Sequence, residues 1–480
     1  MLTSALLAFV GGYLFFYPRM YSTQDEAAYL AQAFAIRHGH LTLDSLHQDV
    51  VQSFVVGHHL VAQYPPGMAT VLALASTFGW NAALGVNLVI AIVTCLLVAR
   101  VLGRLGIPRL FAVLYLLYPS TVLFSQTAMS DLLAGLLVIA AIAAVLDERP
   151  VLVGLLLGAS VLVRDANVLA CVTVPVGVAV TMSRRREPGR QRAVAAWLVR
   201  FACGAAVGGV IAALVYYRVD GGRSYSHIGT FGLHYLPHHL PQLLLGLMVL
   251  YPLMLAAPAM LRGRVALPLA LTCYGFVFLY GAWFFQAKGS NWAQTLVVSQ
   301  RFMLVVLPLF VVAYSAMLWR LIGRLRLDRT RAGYRAAGVV AATGALLIGA
   351  LLVQFEIHRH TATLADARAA LLRTVGEHDV LVCDKEVGKL FLPQWGSRRV
   401  YIVAEQPSTL VTDDIRAWKA KAEAGGHRVF VADWAAGGLG GATGGDRSAT
   451  AIVKSHFTTT VVTQRTAGLP ADLQLLEIAG

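Results

Sequence analysis

The sequence predicts an α-helical polytopic membrane protein with a small α/β domain at its C-terminal end. Three observations predict it. Of 480 residues, 57% are hydrophobic and 13% charged, whereas soluble domains carry roughly a quarter charged residues, and the mean hydropathy is +0.66. Apolar runs near the ~20 residues that cross a bilayer recur along the chain. From about residue 357 these runs give way to short β-rich segments alternating with helix-like ones, the pattern of an α/β domain.

The apolar runs fall at 2–18, 82–103, 110–124, 130–146, 150–163, 166–182, 193–217, 240–262, 265–286, 301–319 and 336–355, about eleven crossings. The stretch 66–80, PGMATVLALASTFGW, is too short to cross comfortably and reads as a re-entrant or interfacial helix. The first run has neither a basic leader nor an A-x-A-like cleavage pattern, so it reads as a retained helix. With a cytoplasmic N-terminus, the inner loops hold 17 Lys and Arg and the outer connections six, which satisfies the positive-inside bias. Arg19, just outside the first span, runs against it locally. The net charge of +14 is concentrated in loops such as 184–192 and 320–335, where anionic headgroups of a plasma (inner) membrane are its natural neighbours, so nucleic acid is not expected as a partner. Of five cysteines, Cys95, Cys171, Cys203 and Cys273 lie in apolar runs and Cys383 in a polar region. Without a CxxC pair they suggest neither disulfides nor zinc.

The expected domains are a transmembrane part, 1–356, with a first outer loop at 19–67, and an extracytoplasmic α/β domain, 357–480. Strands are predicted in HDVLVCD (378–384), RRVYIVA (398–404) and HRVFVAD (427–433), and helices in TATLADARAALLRTV and DDIRAWKAKAEAG. The run GGLGGATGGD (437–446) does not match GxGxxG and reads as a loop.

The outer loops hold the unusual residues. Loop 19–67 carries Asp25, Glu26, Asp44, Asp49, His38, His40, His47, His58 and His59. Loop 218–239 adds His227, His234, His238 and His239, so nine of 14 histidines lie on one side. Histidine is the commonest metal ligand, and His58 and His59 are the candidates for a divalent metal ion, although histidine also suits a membrane interface. Thr23-Gln24-Asp25-Glu26 matches a capping box, with Thr23 as N-cap and Glu26 reaching back. Asp25 suits the positive helix end and shares a face with Tyr29 four residues on, so it is either part of the cap or a catalytic carboxylate. Tyr64-Pro65-Pro66-Gly67 forces an extended entry into the short apolar helix. Ser130-Asp131 opens a later span with a carboxylate expected on the same outer side.

Together, DExxY (Asp25, Glu26, Tyr29), YPPG (Tyr64–Gly67), a later SD (Ser130, Asp131) and Arg301-Phe302 leading to Pro308 resemble the GT-C membrane glycosyltransferases. The nearest group is the bacterial branch related to protein O-mannosyltransferases and the aminoarabinose transferase. The resemblance spans roughly residues 1–320. It implies a polyprenyl-phosphate-linked sugar as donor, an extracytoplasmic glycan, lipid or protein as acceptor, and Asp25 as base, with Glu26 beside it. Tyr29, Tyr64 and Asp131 are the expected substrate-binding neighbours. A leaving phosphate needs positive charge, for which Lys288 and Arg301 are candidates, with snorkelling to headgroups as the alternative. Arg164 and Asp165 read as a local pair supporting the site. Some relatives carry a lysine before the paired prolines, where this chain has Gln63 and Tyr64. A transporter or flippase of lipid-linked saccharides explains the spans and charges as well, and a non-catalytic assembly subunit is a further alternative.

Overall fold

The computed structural model describes residues 2–44, 53–56, 59–184, 189–220, 231–283, 292–324, 329–391, 399–402, 408–434, 449–462, 469–470 and 472–479. Lys288, His47, His58, Asp49, His227 and the glycine-rich run 437–446 lie outside these residues, as does the side chain of His59. The chain divides into two compact units. One comprises Met1–Tyr17, Gly85–Arg218 and Gly222–Ile357; the other comprises Pro18–Leu84, Val219–Gly221 and His358–Gly480. The first outer loop is thus grouped with the C-terminal segment.

The first unit is helical. Apolar helices replace most predicted runs, including Leu2–Phe15, Val86–Arg104, Asp131–Leu146, Pro150–Val161, Val168–Ser183, Arg190–Asp220 and Ala266–Gly281. Three predicted spans are broken; among them, the run 240–262 divides into helices Leu236–Leu250 and Ala257–Met260. The run 110–124 becomes a 3-10 turn Arg109–Ala112 and helices Val113–Leu116 and Pro119–Ser125, because Pro119 lacks an N–H and drives Tyr118 to an extended ψ of 124°. The run 301–319 bends by 92° between Gln294–Val305 and Leu307–Gly323. Among the described residues, Trp80–Arg104, Asp165–Ser183 and Arg190–Val215 are long and apolar enough to cross a membrane, and the bent pair makes up to four. About eleven crossings therefore require the shorter apolar helices to cross as well.

Close helix contact in this unit rests on small residues. A Cβ at Gly154 would lie 2.1 Å from the Phe201 carbonyl oxygen, and one at Gly204 2.1 Å from that of Val151. With Gly158 and Gly208 these form facing small-xxx-small pairs, the means by which helices approach where lipid supplies no hydrophobic drive.

The second unit combines the first-loop elements with an α/β domain. Helix Gln24–Arg37 packs on helix Pro66–Ala75, and Arg37 Nη1 donates to the Ser76 carbonyl at 3.0 Å. Between them lies a small antiparallel sheet of β1 (Leu43–Asp44), β2 (Ser53–Val56) and β3 (His59–Ala62), ordered β1-β3-β2. The short apolar helix leaves Leu74 67% and Phe78 87% exposed, as an interfacial segment would. The C-terminal sheet has β4 (Val380–Cys383), β5 (Arg399–Ile402), β6 (Val429–Trp434), β7 (Thr459–Val461) and β8 (Leu473–Ile478), ordered β5-β4-β6-β8-β7. β5, β4 and β6 are parallel and coincide with the three predicted strands; β8 and β7 add on antiparallel. Val380, Val382, Val429 and Val431 pack with Ile415, Ile452 and Val453 in the core. Continuous apolar parallel strands are expected where helices cover them.

Candidate active site

Two charged centres emerge, one in each unit. In the second unit, Thr23 caps helix Gln24–Arg37 and the capping box is complete. Glu26 is fully buried. Its Oε2 accepts from Ser22 N–H at 2.9 Å, Ser22 Oγ at 3.0 Å, Thr23 N–H at 2.9 Å and Thr23 Oγ1 at 3.1 Å. In return Thr23 Oγ1 accepts from the Glu26 N–H at 3.2 Å. A carboxylate oxygen so occupied is a structural acceptor and ill-placed to take a proton from substrate. Asp25, in the same first turn, is half-buried. Four residues on, Tyr29 is 1% exposed and stacks on Tyr64, ring centroids 4.8 Å apart and planes at 23°. The helix face and the YPPG turn are thereby fixed together, as Pro65 and Pro66 begin the next helix.

The start of the Asp25 helix also meets the C-terminal segment. Gln24 Nε2 donates to Glu386 Oε1 at 2.8 Å. Lys389, fully buried, donates Nζ to the Ser22 carbonyl at 2.9 Å and pairs with Glu386 Oε2. The Tyr21 hydroxyl donates to the Lys389 carbonyl. Sequence reading missed Glu386 and Lys389: charged residues in a polar domain carry no signal that they are buried, and their partners are more than 360 residues away.

In the first unit, Asp131 opens helix Asp131–Leu146 and is 0% exposed. Arg164 Nη1 donates to its Oδ1, and Arg301 Nε to its Oδ2 at 3.2 Å. Arg164 Nε also donates to the Tyr280 hydroxyl at 2.8 Å. Both guanidiniums lie over the Phe302 ring, 5.3 and 5.5 Å from its centroid, and Tyr280 stacks on Phe302 at 4.9 Å. Upstream, Asn87 Nδ2 holds the carbonyls of Thr127 and Met129 at 2.6 and 2.8 Å, setting the turn before Asp131. The sequence placed Asp131 as a carboxylate facing the outer compartment. Its side chain is buried between two cations, and Arg164, read as a local pair with Asp165, also donates to it.

Among the described residues no three His, Cys, Asp or Glu side chains gather as metal ligands. The divalent-metal expectation rested on His58 and His59, whose side chains lie outside the described set; no step below is routed through a metal.

These features define a polytopic membrane protein of the GT-C fold. The solved structures it resembles include ArnT from Cupriavidus metallidurans in the apo state, at 15% identity and TM-score 0.63, covering 99% of this chain and 96% of that one. The same protein bound to undecaprenyl phosphate matches at 12% identity and TM-score 0.60, with the same coverage. The oligosaccharyltransferase of Archaeoglobus fulgidus, tethered to an acceptor peptide, matches at 11% identity and TM-score 0.56, covering 98% of this chain and 74% of that one. A structure of that archaeal enzyme with zinc and sulfate also matches, at 12% identity, the same coverage and TM-score 0.51. No family model and no curated protein matches the sequence.

Proposed function

We propose that the chain is an integral membrane glycosyltransferase. It moves a sugar from a polyprenyl-phosphate donor to an extracytoplasmic acceptor in one inverting displacement, with Asp25 as general base. The observation that carries this reading is the setting of one helical turn: Glu26 is buried with its Oε2 taken up by the cap, while the half-buried Asp25 shares a helix face with Tyr29, which stacks on Tyr64 of the YPPG turn. The fold supports it further, since structures of similar fold were solved bound to undecaprenyl phosphate and to a dolichol-phosphate. In this reading the shorter apolar helices also cross the inner membrane, about eleven crossings in all, with the C-terminal domain outside the cytoplasm.

Asp25 accepts the proton of the acceptor hydroxyl as its oxygen bonds to the anomeric carbon. The bond from that carbon to the phosphate oxygen breaks, and polyprenyl phosphate leaves with the electron pair. General-base help of this kind contributes roughly 10²–10⁴-fold. Tyr29 and Tyr64 supply an aromatic platform of the kind that packs on a sugar. Arg301 is proposed to receive the leaving phosphate, with Arg164, its fellow partner on Asp131, in support. Lys288 stays a candidate for the same phosphate on its sequence position alone.

The test reconstitutes the full chain in vesicles with a labelled polyprenyl-phosphate sugar. Sugar released from its lipid and attached to an acceptor hydroxyl is expected, with loss of transfer but retained donor binding in Asp25→Asn. Translocation of the intact donor without cleavage of its sugar–phosphate bond would establish the flippase reading instead.

A further inference from the structure

We infer that Glu386 and Lys389 of the C-terminal segment are positioning residues for Asp25. The inference rests on the glycosyltransferase reading, and assigns the C-terminal domain a part in catalysis besides any contact with the acceptor. Three residues at the entrance to the Asp25 helix are bound by this pair: Tyr21 through its hydroxyl, Ser22 through its carbonyl and Gln24 through its side-chain amide. Asp25 is the next residue, and Glu26 after it is held by Ser22 and Thr23. Lys389 therefore fixes the Ser22 carbonyl while the N–H and hydroxyl of the same serine fix Glu26. The backbone carrying Asp25 is clamped on both sides of its Cα.

The clamp is built to be rigid. Lys389 has no exposed surface, and its ammonium is compensated by Glu386 and a carbonyl; a buried cation deprived of such partners is strongly destabilised, so alternative poses are excluded. Glu386 is shared, one oxygen on Lys389 and the other on Gln24. Asp384 anchors the short helix Lys385–Gly388 that bears Glu386, accepting from the Val387 N–H at 2.8 Å and from the Trp434 N–H of β6 at 2.9 Å. The sheet is in this way connected by hydrogen bonds to the first turn of the catalytic helix. A general base displaced by about an ångström forfeits up to ~10²-fold, so the clamp acts on turnover and not on donor affinity.

Gln24→Glu sets a second carboxylate against Glu386 and is expected to lower kcat about tenfold, with KM for the polyprenyl-phosphate sugar within about twofold. Gln24→Lys keeps a donor toward the Glu386 Oε1 that accepts from Gln24 at 2.8 Å, leaves the Lys389 counter-ion in place, and is expected to hold kcat within about threefold of wild type. Gln24→Ala, which introduces no charge, is the control for misfolding and is expected to show a smaller loss of kcat in the same direction. Wild-type kcat in Gln24→Glu, a raised KM with kcat retained, or a loss in Gln24→Lys as deep as in Gln24→Glu would each overturn the inference. If the wild-type chain itself transfers no sugar, the functional reading fails, and hydrogen exchange at amides 25–28 decides the clamp alone. Faster exchange in Gln24→Glu then supports it and unchanged exchange overturns it.

Discussion

Asp25 and Asp131 are both aspartates in the first turn of a helix, and there the similarity ends. Asp131 has no exposed surface and holds a guanidinium on each oxygen, with the stacked rings of Tyr280 and Phe302 beside them. Asp25 is half-buried on a helix whose cap is made by Thr23 and Glu26. A carboxylate in the first setting holds two guanidiniums in a fixed place. In the second setting the helix is capped by other residues, and the proposed role of the carboxylate is to accept the proton of an acceptor hydroxyl. One chemical group is a fixed counter-ion in one unit and the proposed reagent in the other.

The largest expected effects separate the two roles. Asp25→Asn is expected to reduce kcat by about 10²–10⁴-fold with an unchanged thermal unfolding midpoint. Asp131→Ala is expected to do the reverse in emphasis. It leaves two part-buried arginines without the carboxylate they share, at a cost of up to about 3–5 kcal/mol, so the chain should unfold at markedly lower temperature in detergent before any assay is read. An Asp131→Ala variant that melts with the wild type would erase the distinction, as would an Asp25→Asn variant that unfolds.

Much of this was legible in the residues. The capping box could be read from Thr23 and Glu26 because its spacing is local, and β4, β5 and β6 from their apolar runs. The arginine centre was half legible. Arg301 stood out as a charge opening an apolar span, but its convergence with Arg164 on Asp131 depends on how distant helices pack. Spacing along the chain does not encode that. β7 and β8 were missed because β7 is short and partly exposed, and β8 alternates too weakly to announce a strand. The glycines at 154, 158, 204 and 208 did carry a readable small-xxx-small signal, and it marks the close helix pair found. The break before Pro119 followed from a proline that hydropathy alone ignores.

A third carboxylate sharpens the comparison. Asp384 is largely buried like Asp131, but its recorded partners are the N–H groups of Val387 and Trp434 in place of guanidiniums. Burial pushes its carboxyl up to about 6, with Asp433 and Glu386 adding repulsion against the opposing hydrogen bonds. A carboxyl raised above its unfolded value of about 3.9 favours the folded state fully below that value. The contribution is lost as pH climbs through about 6. The unfolding free energy of the full chain is therefore expected to fall between pH 4 and 6 relative to Asp384→Asn, by about 3 kcal/mol at most. Parallel pH profiles would show that Asp384 is not the titrating group. Asp379 runs the other way. Burial alone would raise it, but N–H groups of Arg428 and Gly376 and the Arg428 guanidinium outweigh that and lower it. Its contribution is present at neutral pH and lost in acid.

The smallest effect tests how independent Asp25 is of its cap. Thr23→Ala removes the oxygen that accepts the Glu26 N–H and a hydroxyl that donates to Glu26 Oε2. Loss of such an N-cap costs about 1 kcal/mol, and Thr23→Ser should restore it. Because Ser22 still holds Glu26 through two hydrogen bonds, at 2.9 and 3.0 Å, the helix is expected to keep its start at Gln24 and turnover to change by less than about threefold. A loss of kcat in Thr23→Ala as deep as in Asp25→Asn would mean that cap and base are one device. The contrast between a structural Glu26 and a chemical Asp25 would then fail, even with both side chains placed as they are.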